Sequence, residues 1–177
     1  MIFFTSDTHF CHPLIAKLRG YKSFEEMNEI IINNWNTVVG KKDLTYHLGD
    51  FGFSHDSLAH IRHRLKGKII IILGNHDLKN KVMRMPVWTD IFQMKTIQID
   101  KQPIALCHYP FDVWDRSHYN SYHLYGHVHG GLNPHVYEPK GKKLDIGWDK
   151  RKQPMEWSDL KVIFEGLPDN PNLIKRT

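Results

Sequence analysis

The sequence predicts an α/β sandwich organised around a largely parallel, helix-flanked sheet. Three observations carry this. Apolar strand-like runs alternate with amphipathic helical stretches through residues 1–74. The run Lys68 to Leu73 contains four consecutive isoleucines, a pattern suited to a strand buried on both faces. From about Thr96 onward short strand candidates crowd together with little helical periodicity, so a second sheet must pack on the first. The chain has 177 residues, 41% hydrophobic and 24% charged, which predicts one domain over residues 1–177.

The elements follow in order. Ile2-Phe3-Phe4-Thr5 is too short for a helix and rich in strand formers. Phe24 to Val39 repeats apolar residues at helical spacing, with Ser23 and Glu26 forming a capping box and Gly40 closing it. Asp43 to Leu48 reads as a second strand. Ser54 to Lys66 reads as a second helix, with Leu58, Ile61 and Leu65 on one face and Gly67 as its stop. Lys68 to Leu73 is the third strand. Ile97 to Ile99, Ile104 to Cys107, Tyr122 to Tyr125, Lys143 to Ile146 and Leu160 to Phe164 are the later strand candidates.

The formal charge is +5, but the basic residues are dispersed and read as solvated surface. Nucleic acid is thus permitted as a partner without being indicated. Cys11 and Cys107 are too few for a disulfide framework, and Cys107 in its apolar run reads as a buried hydrophobe. The apolar start lacks the pattern of a signal peptide and no long apolar run occurs, so a soluble cytoplasmic protein without membrane association is expected. More telling are the thirteen histidines.

Polar clusters follow five of the strand candidates: Asp7-Thr8-His9, Gly49-Asp50, Gly74-Asn75-His76-Asp77, Cys107-His108 and Gly126-His127-Val128-His129. The carboxyl ends of strands form the ligand-binding edge of an α/β sheet, so these clusters can converge. The i, i+2 pairs Asp7/His9 and His127/His129 would face one side of an extended loop. Singly, Asp7 and Asp50 also fit as turn residues, Asn75 as an unusual backbone position and His108 as a structural histidine. Together they mix carboxylate, amide and imidazole, a set suited to Mn, Fe, Zn or Co. The surplus of ligands points to two ions sharing a carboxylate.

The ordered set Asp-x-His, Gly-Asp, Gly-Asn-His-Asp, His and Gly-His-x-His, spanning residues 7–129, resembles the calcineurin-like metallophosphoesterase superfamily. Ser6-Asp7-Thr8-His9-Phe10 and the compact length look most like its small stand-alone bacterial and phage members. The resemblance implies a four-layer α-β-β-α sandwich with two mixed sheets and a metal site at the carboxyl ends of strands. It implies that Asp7, His9 and His129 bind one divalent transition metal and Asn75, His108 and His127 another, with Asp50 bridging. Mn is the first choice, and Fe, Zn, Co or Ni are alternatives. His76 would be catalytic, assisting the leaving group while a metal-bridging hydroxide attacks a phosphate ester, more readily a diester.

Many relatives carry a further acid shortly after Gly-Asp. Here Phe51-Gly52-Phe53 follows, so its ligand-orienting role is unfilled or supplied elsewhere. His12, Tyr109 and Arg116 are possible substrate contacts, and Trp114, Tyr119 and Tyr122 could stack a base or belong to the core. Asp77 to Met94 and Phe111 to Ser121 are the loops expected to select substrate. The alternatives are a nuclease acting on DNA or RNA, and a non-catalytic scaffold using the same fold.

Overall fold

The computed structural model describes residues 1–53, 55–79, 82–131 and 140–174. The first half runs β1 (Ile2–Thr5), α1 (Pro13–Leu18), α2 (Phe24–Val38), β2 (Leu44–His47), α3 (His55–Arg64), β3 (Lys68–Ile72), α4 (Asn75–Lys79) and β4 (Asp90–Phe92). The second runs β5 (Met94–Ile99), β6 (Gln102–Cys107), β7 (Tyr122–Tyr125), β8 (Lys143–Asp145), α5 (Trp148–Arg151), β9 (Met155–Glu156) and α6 (Trp157–Glu165).

Two mixed sheets result. One is five-stranded in the order β4-β3-β2-β1-β9, parallel except where β9 meets β1. The other is four-stranded in the order β5-β6-β7-β8, with β5 antiparallel to β6 and the rest parallel.

Strand alternation sorts the apolar residues into two cores. Phe3, Ile69 and Ile71 face the helices and pack with Met27, Ile31, Trp35, Leu58 and Ile61. Phe4, Ile70 and Ile72 face the other sheet and pack with Ile104, Leu106 and Leu124. The isoleucine run is thus buried on both faces, each side chain contributing about 1.5–3 kcal/mol of transfer free energy.

At the start of α2, Ser23 Oγ accepts from Glu26 N, and Glu26 Oε2 accepts from Lys22 N at 2.6 Å. This is the expected capping box with its return bond displaced by one residue. The helix is tied to the end of α3 by Trp35 Nε1, which donates to Lys66 O, and by Asn36, which bonds Arg64 O and Lys66 N.

α1, β4, α5 and β9 carried no prediction, β4 falling within the expected loop Asp77 to Met94, and one strand candidate is overturned. Leu160 to Phe164 is not a strand but part of α6, whose Trp157, Leu160 and Phe164 enter the intersheet core. Their i, i+3, i+7 spacing becomes visible only when Trp157 is counted, so the shorter window hid the helical period. Segment 111–121, which includes a 3-10 turn at Ser117–Tyr119, packs on β7 of the second sheet. There Phe111 and Trp114 lie against the buried His123 ring. Among the described residues, no helix is long and apolar enough to cross a membrane.

Candidate metal centre

The polar clusters leave the carboxyl ends of β1, β2, β3, β6 and β7 and meet at one edge. Within them the backbone is not extended. Asp7, His9, Asp50, His127 and His129 all have φ between 49° and 70°, in the left-handed region. The i, i+2 pairs therefore reach this edge through residues in the left-handed region, and the extended-loop reading of their spacing is corrected. Asp, Asn and His enter this region more readily than other non-glycine residues.

Two glycines make the convergence possible. A Cβ at Gly126 would collide with the Ser6 and Asp7 side chains, and one at Gly74 would collide with Asp50.

Asp7, His9 and His129 form one group of potential ligand atoms, and Asp50, His108 and His127 a second, each within 4.8 Å. In the first, His9 Nε2 lies 3.3 Å from His129 Nε2, and Asp7 Oδ1 is 3.8 Å from His129 Nε2. In the second, His108 Nε2 lies 3.2 Å from both His127 Nδ1 and Asn75 Oδ1, and 3.5 Å from Asp50 Oδ2. Asp50 Oδ2 is also 3.7 Å from His9 Nε2, so this carboxylate stands between the groups.

These contacts fit ions and not a hydrogen-bonded network. His108 Nδ1 lies 2.8 Å from Leu48 O, and His129 Nδ1 lies 2.6 Å from Asp149 Oδ2. Each oxygen calls for the ring proton, leaving the Nε2 lone pair aimed inward at other acceptors. Lone pairs facing lone pairs need a cation between them. Two nitrogens at about 2.1 Å from a shared ion are separated by roughly 3.0–3.4 Å in octahedral or tetrahedral geometry, the spacing found here.

Electrostatics agrees. Burial pushes the Asp7 carboxyl up to about 6, against the pull of His108 and His129, and pushes His9 down to about 2. Burial also acts to raise Asp50, but His108, the His76 backbone N–H and His9 outweigh it and hold the carboxyl below the usual range. His129 is raised chiefly by Asp149, whose own carboxyl is held low by His129 and Arg19 despite burial. His108 is likewise raised, against burial, by Asp50 and Asp7. A divalent ion would take the place of the protons that this mix of buried carboxylates and raised imidazoles otherwise holds.

Of the residues supporting this set, Arg19 and Asp149 carried no sequence signal. Arg19 grips Asp149 through Nε and Nη2, both at 2.8 Å, and donates to the Thr8 and Asp7 carbonyls. Asp149 on α5 in turn holds the His129 ring through Nδ1. Asp77 accepts from the backbone N–H groups of Asp50, Phe51 and Gly74 and clamps the second loop to the third. Asp7 in turn accepts from His127 N, joining the first loop to the last.

His76 Nε2 lies 4.0 Å from Asp50 Oδ2, and its ring centroid is 5.4 Å from that of His9. His12 caps α1 through Nδ1 and its ring lies edge-on to both His9 and His76. The Tyr109 ring meets His108 and His127 edge-on. Arg116 is exposed beside the 3-10 turn and has no described contact with either ligand group. Trp114 is buried against His123, and Tyr122 stacks on Phe164 in the core, while Tyr119 is exposed against His118.

Of the other histidines, His47 is buried on β2 and stacks on Trp35, while His60 and His63 are exposed on α3. His123 lies between Ala105 O, Tyr109 O and Phe111 N. His135 and the His55 side chain lie outside what is described. Both cysteines are free and buried.

Comparison with known proteins places this arrangement. Residues 1–139 match the model of the calcineurin-like phosphoesterase superfamily domain. An uncharacterized protein of Methanocaldococcus jannaschii, MJ1445, is 32% identical over 152 residues, covering 82% of this chain and 80% of that one. The Gene 66 protein of Mycobacterium phage L5 is 37% identical over 81 residues, 42% of this chain and 38% of its own. The solved structure of AQ665 from Aquifex aeolicus, of unknown function, superposes with a TM-score of 0.73 at 25% identity, covering 92% of this chain and 98% of that one. With the superfamily domain matching 1–139, two mixed sheets, and both ligand groups at the carboxyl edge, the chain belongs to the calcineurin-like phosphoesterase superfamily.

Proposed function

We propose that this protein is a dinuclear metal-dependent phosphoesterase acting on phosphodiesters. The supporting observation is the pair of ligand groups with Asp50 between them. Asp7, His9 and His129 would hold one ion and Asn75, His108 and His127 the other, with Asp50 shared. The mixed oxygen and nitrogen donors suit Mn as the ion of first choice. When bound, such a pair supplies Lewis-acid charge for phosphoryl oxygens and lowers the pKa of a shared water.

The chain's own side chains supply the rest. His129 and His108 are fixed in orientation by Asp149 and Leu48 O, so their lone pairs stay aimed at the centre. His76, at the mouth of the site and outside both ligand groups, is the residue free to give a proton to the departing alkoxide. Arg19, a cation beside the first group, is committed to Asp149 and two carbonyls. A phosphate would thus meet no additional guanidinium from it, which favours the singly charged diester over the doubly charged monoester.

Metal analysis combined with hydrolysis of bis-p-nitrophenyl phosphate and p-nitrophenyl phosphate in added Mn²⁺ tests this reading. Two bound ions and faster turnover of the diester are expected. Monoester preference would overturn the diester assignment. Two bound ions without turnover of either compound would indicate a scaffold. Preferential, salt-sensitive cleavage of DNA or RNA would indicate a nuclease.

A further inference from the structure

A cleft of about 320 Å³ opens beside the second ligand group, where the chain passes from β4 into β5 and changes sheets. Leu73, Leu78, Gln93, Met94, Tyr109 and Phe111 line it. Leu78 is 50% exposed, Met94 54% and Tyr109 41%, so large apolar side chains meet water around a single concavity. Its position links it to the ligands. Gly74, also in its wall, precedes Asn75, and the Tyr109 ring centroid lies 5.1 Å from that of His108 and 4.8 Å from that of His127. A phosphate ester held by those side chains would have this cleft immediately at its flank.

We propose that the cleft is a subsite for one flat aromatic substituent, a nucleobase or aryl ring, that stays on phosphorus during hydrolysis. This rests on the phosphoesterase reading and narrows its substrate class. The volume lies at the lower end of small-molecule sites and suits one ring system. Tyr109 and Phe111 provide aromatic surface and Met94 a polarizable thioether, which pair well with a ring. Gln93 adds one amide donor and acceptor group at the rim, sufficient for the polar edge of a base. Among the described residues no lysine or arginine lines the cleft, so these supply none of the charge that tracks a nucleic-acid backbone.

The test uses Mn²⁺-loaded full-length protein and diesters that all release p-nitrophenol on attack by water: methyl, phenyl and thymidine-5′ p-nitrophenyl phosphate. The phenyl and thymidine esters should show kcat/KM roughly tenfold or more above the methyl ester, mostly through KM, as base–aromatic stacking would give. Leu78→Asn and Met94→Lys, both at half-exposed positions that tolerate polar side chains, should bring that ratio toward one. Equal kcat/KM for phenyl and methyl esters, or a preference unchanged in both variants, would overturn the subsite while leaving the phosphoesterase reading intact. Failure of metal-loaded protein to turn over any ester would overturn the phosphoesterase reading and the subsite with it. A more than tenfold preference for an oligonucleotide over the thymidine ester would replace the single-ring subsite with a polymer groove.

Discussion

Asp149 Oδ2 stands 2.6 Å from His129 Nδ1, and the same carboxylate takes two hydrogen bonds from Arg19. A carboxylate behind a ligand histidine fixes its tautomer and strengthens it as a donor. Asp149→Asn should therefore weaken metal binding at the first group by about ten- to a hundredfold. Activity measured against free Mn²⁺ should need correspondingly more metal, with kcat at saturation largely recovered.

His76→Ala should separate chemistry from metal binding, because His76 lies outside both ligand groups. A fall in kcat of about 10²- to 10⁴-fold is expected, the range of general acid catalysis. Metal content measured on the same preparation should remain unchanged.

Metal binding should depend on pH through Asp7. Its carboxyl, at about 6 in the metal-free fold, must release its proton to act as a ligand. Affinity should thus fall as pH drops through about 6. Calorimetric titrations with Mn²⁺ in buffers of different ionisation enthalpy should show proton release that shrinks at higher pH. Chelation should abolish hydrolysis.

Acid should destabilise the fold through two buried histidines outside both ligand groups. Burial lowers His47 to about 3 and His123 to about 4. Below the unfolded value near 6.5 the unfolded chain takes up protons that the fold refuses, so stability falls as pH drops. Each histidine contributes a slope of up to about 1.4 kcal/mol per pH unit, ending near its folded value. Denaturant melts between pH 7 and pH 4 would measure this, and His123→Phe should flatten part of the slope.

Gly126→Ala should cost about 1–3 kcal/mol, because its Cβ would displace Ser6 and Asp7. The same displacement moves a ligand, so metal affinity should fall with stability. Thermal melts with and without Mn²⁺ would show the metal-dependent increment shrinking.

The sequence revealed most where one residue type carries one period. The isoleucine run, the α2 capping box and the strand-end position of the polar clusters all reflect local chemistry. What stayed hidden depends on distance. Arg19 and Asp149 meet across 130 residues, the latter on a four-residue helix with no periodicity to mark it. Asp77 was visible in its cluster, but its bonds to three backbone N–H groups depend on how two loops close. The i, i+2 spacing suggested an extended loop, but these residues have left-handed backbone, and while Asp7 and His9 share one ligand group, His127 and His129 fall in different ones.

That handedness restricts which replacements count as mild. Glutamate keeps the charge of Asp7 or Asp50, yet it lacks the short side chain that lets aspartate bond locally and enter this backbone region cheaply. A charge-preserving exchange would therefore lengthen the reach of the ligand and unsettle the turn beneath it. At these positions the demand that a bound metal would make and the demand of the peptide chain select the same few amino acids, and satisfying one alone would not be enough.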